Sequence, residues 1–466
     1  MLFCSIGFLF RFLPVFMIIY LISPAKYRNV VLLLGSLLFY GAGEPFFVLL
    51  LILSILFNYL ISGVYYKLPG TEKKSARRAA LLCTLLVDFG VLFLFKYWDF
   101  AAENINLLTG RQNVPLLSLA LPLGISFYTF QMASYQIDCY QRKIKTKPGM
   151  VEFAAYVCMF PQLIAGPIVK YEEVAVQLEE RKLTAGGLER GLKLFTIGLG
   201  CKVLLANQIG TLWNTIMTAG AGNLSVPVAW LGAFAYSFQI YFDFWGYSLM
   251  AVGLGRMLGF AIPRNFRNPY AAKSISEFWR RWHITLGRWF REYVYIPMGG
   301  NRKGRLRTVI NLCVVWSLTG LWHGANWNFV IWGLVFFVLL SLEKCGLGKW
   351  LEKTKVVGHL YVIALIPMTW IIFAITDRGQ LFSYLQNMVG IHSQNAIAGL
   401  PQLRRYLQEY WWLLAVCALC ATPLPARWYK KWKNSFVTIL LLLAIFWFSV
   451  HEILVGANNP FLYFRF

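Results

Sequence analysis

Long apolar stretches separated by short basic loops dominate the chain. Four of these stretches run for about 15 to 20 residues with almost no charged side chain: 46–64, 79–95, 356–374 and 436–450. A helix rises about 1.5 Å per residue, so stretches of this length approach what is needed to cross a hydrocarbon layer of about 30 Å. Irregular backbone has no hydrogen-bond partner in lipid, and the pattern therefore predicts membrane-spanning α-helices.

Composition places the chain outside the range of soluble domains. Of its 466 residues, 58% are hydrophobic and 14% are charged, and the mean hydropathy is +0.56. We predict an all-α integral membrane protein, organised as a single polytopic domain over residues 1–466, because no linker or low-complexity stretch divides it. No basic region precedes the first apolar segment, so we expect the N-terminal helix to remain uncleaved.

The distribution of basic residues predicts the topology. Lysine and arginine collect in six short segments: 26–28, 67–78, 142–147, 302–307, 344–355 and 427–433. Placing all six on the cytoplasmic side requires that two segments, 152–169 and 275–297, enter the membrane and return. The prediction is 11 to 13 crossings, about twelve, with re-entrant or interfacial helices that line a cavity.

The formal charge of +24 comes from 44 Lys and Arg against 20 Asp and Glu. In a soluble protein this balance would suggest nucleic acid as a partner, but in a membrane protein it is typical of cytoplasmic loops that face anionic lipid. We therefore predict that the chain contacts membrane lipid and that nucleic acid is not a partner. The nine cysteines have neither CxxC nor Cys/His metal spacing, so they are expected to be small core residues, and no metal site is predicted.

A basic aromatic segment over 274–302 contains the first candidate histidine. Written as one helix, it places Trp282 and His283 on one aromatic face, while the side chain of Arg288 lies off that face, as do those of Arg280 and Arg291. Its excess of arginines, Arg281 among them, would suit an anionic substrate such as a phosphate-bearing acyl donor. An interfacial helix that binds lipid head groups remains the alternative.

The second candidate is His323, in the sequence LTGLWHGANW at 318–327. A histidine within an apolar run is a functional candidate, because its burial is costly. An imidazole can take a proton from an attacking hydroxyl and return one to the leaving group. Gly324 is expected to leave room for a substrate, and Trp322 to exclude water.

Further polar groups lie inside apolar runs. Asp243, in QIYFDFWGYS with Tyr241, is expected either to orient an imidazole or to pair with a buried arginine. Walker, GxSxG and metal-binding motifs do not occur in the sequence.

The run FWRRWHITLGRWFREYVYIPMGGNR, followed by GLWHGANWNFVIWG, resembles the membrane-bound O-acyltransferase (MBOAT) family. Within that family it is most similar to the branch that contains the membrane subunit of alginate O-acetyltransferase. The similarity extends to RNVVLLLGSLLFYG and LPLGISFYTFQMASYQIDCY, and so covers nearly the whole chain.

The resemblance implies tilted helices around a central tunnel, with His323 as the catalytic histidine and His283 at the second motif position. The residues then expected along the tunnel or just behind it are Trp322, Asn326, Asp243, Trp282, Arg281, Arg288 and Tyr241. The implied reaction moves an acyl group, acetyl for this branch, from cytoplasmic acetyl-CoA to an extracytoplasmic acceptor. The implied acceptors are a partner protein and an extracellular or cell-wall polysaccharide, and the implied location is the bacterial cytoplasmic membrane.

Three positions, in two regions of the chain, depart from the pattern of this branch. Trp245 and Leu249 replace a small polar residue and an acidic one, and Asn207 replaces an aspartate near Lys202. Two other functions stay open: transfer of D-alanine from a carrier protein to teichoic acids, and a transporter or scramblase in which the histidines relay protons.

Overall fold

The computed structural model describes residues 2–67, 74–164, 166–220, 222, 224–391, 399–456 and 461–462, and every regular element in these ranges is a helix. Six helical stretches are long and apolar enough to cross a membrane: Phe47–Lys67, Lys74–Lys96, Ala185–Thr218, Trp327–Lys353, Val356–Ala374 and Phe436–Val455. The predicted all-α membrane class is confirmed. The number of crossings and the central tunnel stay predictions.

The described residues form two compact units, and each is considered by itself. The first comprises Met1–Phe195 and Ser248–Pro263, and the second comprises Thr196–Tyr247 and Arg264–Phe466. Helices α10 (Ala185–Gly200) and α12 (Val226–Met257) contribute residues to both. The predicted single domain stays a prediction.

Among the residues that the structure describes, the first unit contains nine complete α-helices, listed in chain order: α1 (Leu13–Ile22), α2 (Arg28–Gly41), α3 (Phe47–Lys67), α4 (Lys74–Lys96), α5 (Trp98–Thr109), α6 (Ile125–Tyr140), α7 (Met150–Cys158), α8 (Phe160–Leu163) and α9 (Tyr171–Glu179). The segment predicted to be re-entrant, 152–169, is broken at Met159, and its residues 153–164 and 166–169 are buried. Tyr156 compensates for the break, because its hydroxyl donates to the carbonyl of Val169 at 2.9 Å. Whether the segment returns to the side it entered stays a prediction.

The second unit contains the motif residues. Its remaining helices are α11 (Asn207–Thr218), α13 (Ile275–Arg281), α14 (Ile284–Phe290), α15 (Arg305–His323), α16 (Trp327–Leu342), α17 (Gly348–Lys353), α18 (Lys355–Ala374), α19 (Arg378–Val389), α20 (Gly399–Ala421), α21 (Leu424–Trp432) and α22 (Phe436–Val455). The apolar residues that α22 leaves exposed, including Phe436 and Phe448, are those that a lipid-facing surface requires.

Helices α15 and α16 form a tight hairpin. A Cβ atom on Gly320 would lie 2.3 Å from the carbonyl oxygen of Phe329, and one on Gly333 would lie 2.4 Å from that of Trp316. Glycine at both positions therefore lets the two backbones approach closely, as small residues do in membrane helix pairs. The close packing holds the end of α15, and with it His323, against α16.

The prediction of one continuous helix over 274–302 is wrong. Helix α13 ends at Arg281, Trp282 is extended, and His283 has the left-handed values φ 43° and ψ 52° before α14 begins. Side-chain periodicity alone could not reveal the break, because its cause is tertiary. The loop residue Asn265 accepts hydrogen bonds from the backbone N–H groups of Ile284 and Thr285, so these groups do not need helical partners.

A buried carboxylate holds the start of α13. Glu343, 5% exposed, accepts hydrogen bonds from the backbone N–H groups of Ile275 at 2.6 Å and Ser276 at 2.8 Å. The first N–H groups of a helix have no partner within the helix, and a negative charge there is favourable. Glu343 thus links the basic aromatic segment to the far end of the α15–α16 hairpin.

Replacing Glu343 by alanine is expected to lower the free energy of unfolding by roughly 3 kcal/mol, because two buried N–H groups lose their acceptor. Thermal unfolding of the purified protein in detergent measures the effect. Glu352→Ala, at an exposed position on α17, is the matched control. Equal melting temperatures for the two variants would contradict the anchoring role.

Candidate active site

His323 is the last residue of α15, where the chain turns into α16. Gly324 has an extended backbone that ends the helix, and the side chain of Asn326 caps α16 by accepting from the N–H of Asn328. The amide of Asn328 in turn donates to the carbonyl of Phe373, at the end of α18, at 3.1 Å. These contacts fix the turn that presents the imidazole.

Gly324 serves a different purpose from the one the sequence suggested. A Cβ atom at this position would lie 2.2 Å from the ring of Phe329. The space beside the backbone is therefore filled by protein, and the expectation that it admits a substrate is wrong. Glycine is needed here because the aromatic ring packs directly on the turn.

Aromatic rings surround the imidazole of His323. Its centroid lies 5.0 Å from the ring of Trp322, 5.1 Å from Trp332 and 5.2 Å from Phe373, all in edge-to-face arrangements. The residue is 6% exposed. Such surroundings exclude bulk water from the ring.

A small cavity of about 20 Å³ lies beside His323. Its walls are formed by Ile240, Asp243, Phe244, Trp282, His323, Trp370, Phe373, Phe461 and Leu462. This volume holds about one water molecule. The imidazole therefore faces a space and not solid packing, but this space is too small for a molecule of the size of the expected thioester donor.

Asp243 belongs to a buried ionic network on the cavity wall. Its carboxylate pairs with the ammonium of Lys202 at 2.5 Å and accepts from the N–H of Leu462 at 2.8 Å. The expected ionic partner is thus present, but it is a lysine and not an arginine. Lys202 also donates to Asn207 at 2.9 Å, so the asparagine that departs from the pattern of the branch still serves as a hydrogen-bond partner.

Local backbone geometry makes this ion pair possible. Lys202 lies in a π-helical turn, Cys201–Ala206, between α10 and α11. A Cβ atom on Gly246 would lie 2.9 Å from the backbone nitrogen of Lys202, so only glycine allows α12 to approach this turn. One turn earlier on α12, Asp243 then reaches the lysine.

The second histidine, His283, lies in the break between α13 and α14 and is 1% exposed. Its Nδ1 atom is 3.2 Å from the side-chain oxygen of Asn265. Its ring lies 4.7 Å from that of Phe244 and 5.7 Å from that of Trp322. His283 is therefore one aromatic ring away from the cavity beside His323.

The remaining predicted site residues occupy two kinds of position. Trp282 lines the cavity, while the ring of Tyr241 packs behind it at 6.0 Å and stacks on Trp245 at 5.3 Å. The expected residues Arg281, Arg288 and Asn326 are not among those that form the cavity wall. Arg281 forms an ion pair with Glu277.

Several wall residues were not predicted from the sequence. Trp370 and Phe373 come from α18, and Phe461 and Leu462 come from near the end of the chain. They are apolar, and nothing in their local pattern distinguishes them from lipid-facing or core residues. Among the described residues, no group of three or more His, Cys, Asp or Glu side chains is arranged to hold a metal ion.

Comparisons with known proteins find similar acyltransferases. The chain is 35% identical over 490 residues to the probable alginate O-acetylase AlgI of Pseudomonas putida, which covers 100% of both chains. It is 35% identical over 426 residues to the peptidoglycan O-acetyltransferase of Helicobacter pylori, covering 83% of this chain and 79% of the relative. With the teichoic acid D-alanyltransferase of Bacillus subtilis it shares 27% identity over 333 residues, 66% of this chain and 82% of the relative.

The sequence model described as MBOAT, membrane-bound O-acyltransferase family, matches residues 81–385, a range that includes both histidines and Asp243. The chain therefore belongs to the membrane-bound O-acyltransferase family and is a multi-pass membrane enzyme that transfers acyl groups.

Proposed function

We propose that this enzyme moves an acetyl group from acetyl-CoA on the cytoplasmic side to a hydroxyl-bearing acceptor on the other side of the bacterial cytoplasmic membrane. The observation that carries the proposal is the imidazole of His323 on the wall of a small, largely aromatic cavity, next to the carboxylate of Asp243 that pairs with Lys202. The names of the alginate and peptidoglycan relatives support an extracellular or cell-wall polysaccharide as the final acceptor. An extracytoplasmic partner protein is proposed to receive the acetyl group before the polysaccharide.

In the proposed reaction, His323 acts as general base. It removes the proton from the acceptor hydroxyl as the oxygen attacks the thioester carbonyl, and a new oxygen–carbon bond forms. When the carbon–sulfur bond breaks, the imidazolium returns a proton to the departing thiolate. The products are an O-acetyl ester and free CoA, and His323 is neutral again. His283 is proposed to assist catalysis by contacting the acceptor.

The size of the cavity supports a small acyl group. A space of about 20 Å³ holds roughly one water molecule. Extending it to hold an acetyl group requires modest side-chain movement, whereas a long acyl chain would require a channel through several buried rings. Trp282 and Trp322, on or next to the wall, are proposed to keep water from the thioester during transfer.

Asp243 is proposed to support the site as an anion and to take no part in proton transfer. Its charge is balanced by Lys202, and one of its oxygens is bound by the N–H of Leu462. Because the carboxylate of Asp243 is held in this way, it fixes the position of the cavity wall that carries Phe244 and faces His323. The arginines at 281 and 288 are proposed to act outside the cavity, on the anionic part of the donor, and Asn326 to hold the His323 turn.

Transfer of D-alanine is the second candidate, supported by the Bacillus subtilis relative at 27% identity. This reaction would use His323 and a thioester donor, as the proposed acetyl transfer does. Reconstituted protein supplied separately with radiolabelled acetyl-CoA and with a D-alanyl carrier protein distinguishes the two donors. Labelling of acceptor from the carrier alone would overturn the acetyl assignment.

Replacing His323 by alanine is expected to reduce acetyl transfer by at least about 1,000-fold, because the proton acceptor is lost. The measurement is label transfer from acetyl-CoA to acceptor polysaccharide in vesicles. His359→Ala, at a histidine on α18 that does not line the cavity, is the control for insertion and yield. Full activity in a correctly inserted His323→Ala protein would remove the mechanism.

Removing one partner of the buried ion pair between Lys202 and Asp243 is expected to destabilise the protein. Lys202→Met and Asp243→Leu should each lower the free energy of unfolding by about 3–5 kcal/mol, because each leaves one buried charge without its partner. The double variant should recover most of this loss, as thermal unfolding in detergent would show. If the double variant were as unstable as the sum of the single variants, the two charges would not be coupled.

A further inference from the structure

The side chain of Asn265 lies at the centre of the break between α13 and α14. Its amide oxygen is 3.2 Å from the backbone nitrogen of Thr285, 2.9 Å from the hydroxyl oxygen of Thr285 and 3.2 Å from Nδ1 of His283. All of these residues are at most 1% exposed. One buried oxygen is thus the common partner of three neighbouring groups.

The backbone group fixes the orientation of this amide. A peptide N–H donates hydrogen bonds and never accepts them, so the atom of Asn265 that faces Thr285 must be the carbonyl oxygen and not the NH₂ group. The same oxygen faces Nδ1 of His283. Since a carbonyl oxygen only accepts, Nδ1 must carry a proton.

It follows that His283, when neutral, is the Nδ1–H tautomer and has its lone pair on Nε2. That nitrogen is buried and has no hydrogen-bond partner among the described residues. A buried acceptor without a partner is destabilising, and its presence in a folded protein calls for an explanation. The left-handed backbone of His283 is also strained, and the surrounding contacts must offset this strain.

The position of the His283 ring indicates which kind of group the lone pair on Nε2 can bind. His283 packs on Phe244, which lines the cavity, and on Trp322, which contacts His323. A nitrogen with a lone pair can bind an O–H group but not the carbonyl of a thioester, which offers acceptors only. Near the reacting centre of an acyl transfer, the hydroxyl groups of the acceptor are donors and the thioester carbonyl is not.

We propose that Asn265 is a positioning residue that locks His283 in the Nδ1–H tautomer, so that Nε2 accepts a hydrogen bond from a hydroxyl group of the acyl acceptor. The proposal rests on the proposed function and deepens it, because it assigns His283 to the acceptor and leaves the attacking hydroxyl to His323. Asn265 does not contact the substrate and acts through the imidazole.

The tautomer can be measured without turnover. The full-length protein, labelled with ¹⁵N-histidine and embedded in lipid, contains five histidines, and His283→Gln identifies the signal of interest by its loss. Solid-state NMR of the wild type should show protonated Nδ1 and unprotonated Nε2 for that residue at neutral pH. A protonated Nε2 with a bare Nδ1 would overturn the proposal.

Two substitutions test whether Asn265 causes this state. Asn265→Leu removes the hydrogen-bond acceptor of Nδ1, so His283 should no longer favour the Nδ1–H tautomer. Thr285→Val removes only the hydroxyl donor and keeps the backbone N–H that orients the amide, so the Nδ1–H tautomer should persist. Loss of the tautomer in Thr285→Val but not in Asn265→Leu would contradict the assignment.

Asn265→Asp distinguishes positioning from a merely structural role. The carboxylate keeps the oxygen but adds a negative charge beside Nδ1, which favours the imidazolium and raises the pKa of His283. The described contacts of the ring are Phe244, Trp322 and Asn265, none of which titrates, and the nearby Asp243 is paired with Lys202. Since the neutral ring is the active form, the acidic limb of the pH–rate profile should move to higher pH.

Kinetics provide the last readout. Asn265→Leu should raise KM for the acceptor about tenfold, the effect of losing one hydrogen bond, and leave KM for acetyl-CoA unchanged. Equal increases for both substrates, or an unmoved pH profile in Asn265→Asp, would overturn the role assigned to His283. If instead His323→Ala kept its activity while the tautomer result held, only the proposed function would fail.

Discussion

The satisfaction of polar groups inside a membrane protein is the constraint on which the rest of this structure depends. Lipid offers no hydrogen bonds, so every buried charge and every break in a helix must find its partner within the chain. The ammonium of Lys202 and the carboxylate of Asp243 provide this for each other. Without that pair, the cavity wall that contains Asp243 would hold an uncompensated charge.

The same constraint explains where the chain departs from regular helix. The two candidate site histidines lie at helix ends, His323 at the end of α15 and His283 before α14. Helix ends present backbone groups without partners, and at the starts of α13 and α14 these groups are bound by side chains from elsewhere in the second unit. Glu343 binds the start of α13, and Asn265 binds the start of α14. The polar residues that position the site are therefore also the residues that make its irregular backbone possible.

Much of the fold was predictable because the determinants are local. Uninterrupted apolar runs indicated the helical membrane class, and a histidine inside such a run identified His323 as the principal candidate. The break at His283 was not predictable, since the periodicity of the segment continues through it and its cause is Asn265, which belongs to a different segment. Asp243 was expected either to orient an imidazole or to pair with an arginine, because sequence alone does not show that the π-helical turn brings Lys202 into place.

The role of Gly324 was misread for a related reason. A glycine beside a candidate catalytic residue has two explanations, space for a ligand or space for protein, and these differ only in what packs against it. Phe329, five residues later, fills the space. Similarly, Phe461 and Leu462 reach the cavity through tertiary contacts that no local pattern encodes. Long-range packing decided each of these cases, and it is the part of the fold that a single sequence specifies least directly.

For the proposed reaction, a cavity that holds about one water molecule must enlarge before a thioester can reach His323. The groups around it differ in how readily they can move. Displacing Asp243 would break an ion pair and a backbone hydrogen bond, and breaking a buried pair typically costs about 3–5 kcal/mol. Rotating the rings of Trp370 or Phe373 exchanges one apolar contact for another and costs less. Enlargement should therefore take place on the aromatic side of the cavity, while the ionic side keeps its geometry and holds the reacting groups in register.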